Sequence, residues 1–72
     1  MAATVMDEIV ALDQSRPTSR ASVTVVAAWY ERKATLLARL AGDTRRPSEA
    51  DEYATWAAAA ARRATRLLAE VA

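Results

Sequence analysis

Two pairs of adjacent carboxylates, Asp7/Glu8 and Asp51/Glu52, and a cluster of guanidinium groups, Arg62, Arg63 and Arg66, are the side chains of this sequence whose types and spacing could do chemistry. Paired carboxylates can act as general acid and base, or hold a hard cation through their oxygens. Neither pair has the company such work needs. The chain contains no His and no Cys, so the commonest general base, a thiolate nucleophile and a Cys/His zinc site are all missing. Its single Gly excludes a phosphate-cradling loop and a dinucleotide fingerprint. Both acid pairs fall where a helix begins, and a helix N-terminus attracts negative charge without any catalytic purpose. The composition points away from an enzyme, with no catalytic residue, no cofactor and no metal site to assign.

The basic side chains are the other candidates. Arg16 and Arg20 flank a Ser/Thr-rich linker, Arg45 and Arg46 sit in a later loop, and Arg62, Arg63 and Arg66 fall on the wet side of the last helix. Together they are the candidate contacts for a polyanion or an acidic partner, although a solvated surface is the plainer reading. Net charge is +1, so bulk electrostatics name no partner. The charges are unevenly placed. Residues 1–14 carry Asp7, Glu8 and Asp13 and no base, residues 15–46 carry seven Arg or Lys against Glu31 and Asp43, and residues 47–72 are again slightly acidic.

The elements that must position these groups are read from apolar periodicity. Val5, Ile9 and Leu12 mark an amphipathic helix over residues 4–14. Pro17 and its Ser and Thr neighbours make residues 15–21 a linker. A second helix, over residues 22–41, gathers Val25, Val26, Trp29, Tyr30, Leu36, Leu37 and Leu40 on an apolar arc of about 200°, roughly twice what one packed face needs. Lys33 lies in the middle of that arc, placed to lay its stem on the surface or to meet an acid from another helix. Gly42 is expected to stop this helix as the residue just past its end. A loop over residues 42–48 is short enough to turn the third helix, residues 49–71, back alongside the second. Ser48 is the expected N-cap, with Pro47 as first helical residue the alternative. The third helix packs Tyr53, Trp56, Ala57, Ala60, Ala64, Leu67, Leu68 and Val71, and turns Arg62, Arg63 and Arg66 away. Its run from Ala57 to Ala61 suits close helix approach better than ligand contact.

The expected fold is all-α: one domain, residues 1–72, in which an antiparallel helical hairpin carries a short N-terminal helix. Apolar content is 53%, yet much of it is Ala, and a core this small supplies only about 3–5 kcal/mol. With disulfides and zinc excluded, regular packing or oligomerisation must supply the rest. The expected unit is a homodimer forming a helical bundle, with Val26, Trp29, Tyr30, Lys33, Leu36, Leu37, Leu40, Trp56, Leu67 and Leu68 at the interface. The expected function is a non-enzymatic, self-associating protein–protein interaction module, regulatory or scaffolding, in which the acidic first helix docks on a partner's basic middle. The alternative is a small DNA-associated regulator. On that reading residues 22–26 form a strand preceding two helices, the element order of ribbon–helix–helix repressors, or the basic surface grips the phosphates. No stretch reaches the roughly 18 apolar residues of a membrane span, and the acidic N-terminal stretch lacks the basic start of a signal peptide, so a cytoplasmic location is expected.

The segments "AAWYERKATLLARLA" and "EYATWAAAAARRATRLLAEVA", joined by a short polar loop, resemble small uncharacterised actinomycete helical-hairpin proteins over residues 27–72. Nine Arg against one Lys, with abundant Ala, fit such a GC-rich source. The resemblance implies a helical hairpin and no particular activity.

Overall fold

A computed structural model of the chain describes residues 4–71. Among these residues there are three α-helices and no strand: α1 (Val5–Gln14), α2 (Val23–Asp43) and α3 (Pro47–Val71). The all-α expectation stands.

Each start has a chemical reason. Thr4 caps α1 in a reciprocal box: its hydroxyl accepts from the Asp7 amide at 3.1 Å, and the Asp7 carboxylate accepts from the Thr4 amide at 3.3 Å. Ser22 caps α2, its hydroxyl accepting from the Val25 amide at 3.2 Å. Residues 23–26 are therefore the first turn of a helix, and the strand alternative for 22–26 is corrected. Pro47 opens α3 as its first helical residue, where its missing N–H costs nothing. This replaces the expected start at 49 with the alternative, and Ser48 is not the cap.

The end of α2 also differs from expectation. The helix runs through Gly42 to Asp43, with Thr44 as its C-cap and the Thr44 amide donating to the Leu40 carbonyl. No residue, glycine included, has a positive φ among those described, so Gly42 is an ordinary helical position and the connection shrinks to residues 44–46. A Cβ built on Gly42 meets nothing within 4 Å. Gly42→Ala is therefore expected to stabilise the fold by about 0.5 kcal/mol through the unfolded chain's lost freedom. In a thermal melt this is a rise of a few degrees, whereas a fall would place Gly42 in a conformation alanine resists.

α2 lies in the middle. It packs extensively against α3 and less so against α1, with Lys33 and Leu37 bordering both contacts, and among the described residues the backbones of α1 and α3 do not approach one another. The core is correspondingly spare: Leu12 from α1, Ala27, Leu36 and Leu37 from α2, and Ala57, Ala60 and Ala64 from α3. The three α3 alanines recur at helical spacing, so one stripe of that helix meets α2 with methyl groups only. The largest side chains, Trp29, Tyr30, Tyr53 and Trp56, are all at least partly exposed. The shape is extended, 39 × 27 × 16 Å, with a radius of gyration of 13.1 Å, against about 11 Å for a compact chain of this length.

Candidate interaction surface

α2 presents an aromatic–cation cluster where α1 ends. The indole Nε1–H of Trp29 donates to the Leu12 carbonyl at 2.9 Å, a carbonyl in the last turn of α1 that also accepts from Ser15. Helix ends leave such carbonyls unsatisfied, so Trp29 both packs α1 and completes its terminus. The Arg16 guanidinium stands 5.3 Å from the Trp29 ring centre and the Lys33 ammonium 5.4 Å. Tyr30 meets Trp29 edge to face, with centres 5.1 Å apart and planes at 87°. Both geometries are attractive, each cation–π contact by about 0.5–1 kcal/mol at a partly exposed site.

The cluster continues onto α3. The Lys33 ammonium is also 5.9 Å from the Tyr30 ring centre, and the Arg63 guanidinium reaches the same ring at 5.6 Å. Between the helices runs an open groove of about 560 Å³, lined by Tyr30, Lys33, Leu37, Trp56, Ala59, Ala60, Arg63 and Arg66. Trp56 stands at one end, 49% exposed, held edge-on by Tyr53 at 5.7 Å. Arg63 and Arg66 stand at the other. No carboxylate lines the groove. The ion pairs among the described residues lie elsewhere: Arg16–Asp13 at 3.2 Å, Arg39–Glu8 at 3.0 Å and Arg46–Glu49 at 3.4 Å. All are solvated pairs worth at most about 1 kcal/mol each.

The expected interface residues separate into two groups. Leu36 and Leu37 are covered within the chain. Val26, Trp29, Tyr30, Lys33, Leu40 and Leu67 are half-buried, and Trp56 and Leu68 are exposed. The expected polyanion contacts do not form one patch. Arg16 and Arg20 precede α2 and Arg45 and Arg46 follow it, so a helix of about 30 Å, at 1.5 Å per residue, separates the pairs. The third cluster divides as well. Arg62 lies beside Ala61, Thr65 and Arg66, whereas Arg63 and, on its other side, Arg66 border the groove while staying exposed, so the expected wet face reaches the groove's rim. The wheel missed this because a long arginine at the edge of a face leans over its neighbour's ring. Two cross-helix contacts, Trp29 to Leu12 and Arg39 to Glu8, had no sequence signal. They depend on how α1 crosses α2.

Among the described residues no group of His, Cys, Asp or Glu is arranged to hold a metal ion, and no helix is long and apolar enough to cross a membrane. Searches against models of protein families, curated proteins and solved structures return no match for this chain.

Proposed function

We propose that this chain is a non-enzymatic helical interaction module that associates with itself. On this reading α2 and α3 form an antiparallel hairpin, and two copies complete one another as a helical bundle in a regulatory or scaffolding role. The approach of Arg63 to Tyr30 and of Trp56 to Leu37 supports the antiparallel arrangement.

One observation carries the self-association. The chain exposes 5300 Å², whereas a compact monomer of 7.8 kDa exposes about 4,400 Å². The difference, on the order of 900 Å², is close to the roughly 800 Å² that one partner loses in a standard interface. The reason is architectural. Domains bury their apolar faces between packed layers, and here α1 and α3 both pack on α2 but not on one another. A second copy supplies the missing cover.

The test is sedimentation over a range of concentrations, with a species of twice the 7.8 kDa monomer mass as the expected result. Trp56→Ala is expected to weaken that dimer roughly 30-fold, the size of an aromatic anchor's effect. It should leave the helical circular dichroism intact, because the ring is half in solvent. A wild-type chain that stays monomeric at micromolar and higher concentrations overturns the reading.

A further inference from the structure

The groove asks for an occupant of specific chemistry. It is lined by an indole, a phenol and the cations Lys33, Arg63 and Arg66, with no carboxylate in its lining. Glu70 stands beside Arg63 and Arg66 outside it, and among the described residues none of the three cations is in an ion pair. A purely apolar occupant would strand three cations, and burying an unpaired charge is costly. A purely anionic one would leave Trp56 half exposed. The fitting surface is a short helix face with apolar side chains first and acids beside and after them.

The chain itself carries one such surface. α1 turns Leu12 inward against α2, which leaves its opposite face outward. There Met6 and Val10, one turn apart, are 53% and 50% exposed. At about 100° per residue, Asp13 and Asp7 flank that pair on either side. α1 has three acids and no base. Its 10 residues span about 15 Å, which is also the reach from Trp56 to Arg66 along α3.

Resting on the self-association proposed above, we infer that the outward face of α1 from one copy occupies the α2–α3 groove of the other, reciprocally across the dimer. The order along the two helices fixes the direction. With α1 of the partner parallel to α3, the partner's Met6 and Val10 meet Trp56 and Ala59, and the partner's Asp13 arrives at Arg63 and Arg66. Among the described residues the Asp13 carboxylate pairs with Arg16 alone, at 73% and 64% side-chain exposure respectively, and such a pair exchanges partners at little cost.

A charge swap tests this. Asp13→Arg and Arg66→Asp are each expected to weaken the dimer roughly 10-fold or more in sedimentation, by setting like charges together at the contact. The double variant, which restores opposite charges in exchanged positions, is expected to return to within roughly 3-fold of wild type, because the two sites are coupled. Both positions are exposed, so each variant should keep the wild-type circular dichroism and the comparison remains one of association. A wild-type dimer that either single variant leaves unchanged, or a double variant no better than the singles, overturns the α1 contact while self-association stands. A monomeric wild type overturns both.

Discussion

Replacing Leu36 with alanine is expected to leave much of the chain unfolded in water at room temperature. Leu36 is 4% exposed, one of the few large side chains in a core otherwise made of alanines. Removing a buried leucine's outer carbons costs about 2–5 kcal/mol, more where the neighbours cannot close the space. A domain of this size has only about 3–5 kcal/mol to lose, and among the described residues only Leu12 and Leu37 are other large side chains in its core. Urea titration followed at the helical circular dichroism band measures the effect. Leu36→Met, which nearly conserves volume, is expected to stay within about 1.5 kcal/mol of wild type. An alanine variant within about 1 kcal/mol would mean that Leu36 is not a core residue. The titration must hold protein concentration constant, because association with a second copy adds concentration-dependent stability.

Trp29→Ala should have the second largest effect, and a local one. A fully buried tryptophan costs about 3–5 kcal/mol on truncation. Trp29 is only half-buried, so about 2–3 kcal/mol is expected here. The loss falls on α1, because the ring packs beside that helix and its Nε1–H holds the Leu12 carbonyl. A helix of 10 residues does not persist alone in water. Hydrogen exchange should therefore show the α1 amides exposed while those in the middle of α2 and α3 stay protected. Trp29→Phe keeps most of the ring but loses the hydrogen bond, at about 0.5–1.5 kcal/mol. Ser15 still donates to the same carbonyl in that variant, so no acceptor is orphaned. Protection that falls equally over all three helices would show α1 to be an integral part of the cooperative unit.

Much of the fold was legible because helices announce themselves by period. Val5, Ile9 and Leu12, or Val26, Trp29, Leu36 and Leu40, repeat as only a helical face does, and the capping chemistry of Ser22 is local. The misread ends share a cause. Gly42 is a strong stop signal when it adopts a left-handed conformation, and here it does not. Pro47 and Ser48 both suit a helix start, and sequence alone does not rank them. The candidate surface was harder to see. A helical wheel gives angles and no depths. α3 exposes Ala54, Ala58, Ala59, Ala61 and Ala69 while burying Ala57, Ala60 and Ala64, so residue type barely separates its sides. Trp56 lies on the packing side of the wheel and at the expected interface, and the wheel does not say that it stands 49% exposed at the groove's rim. The neighbours of Trp29 depend on the path of the linker between α1 and α2, and nothing in its Ser and Thr residues encodes a direction.

The methyl-only stripe of α3 has a mechanical consequence. Interlocking of large and small side chains is what normally indexes one helix against another. Along Ala57, Ala60 and Ala64 every tooth is the same size and nearly flat, so the middle of the contact offers little resistance to axial sliding. The half-buried Tyr53 and Leu67 flank that smooth track and act as its end stops. Translation of α3 by one turn, about 5.4 Å, would drive one of them into the space an alanine methyl now fills. Along this stripe the register is thus held from its two ends, like a bolt between shoulders, and not by the alanines between them.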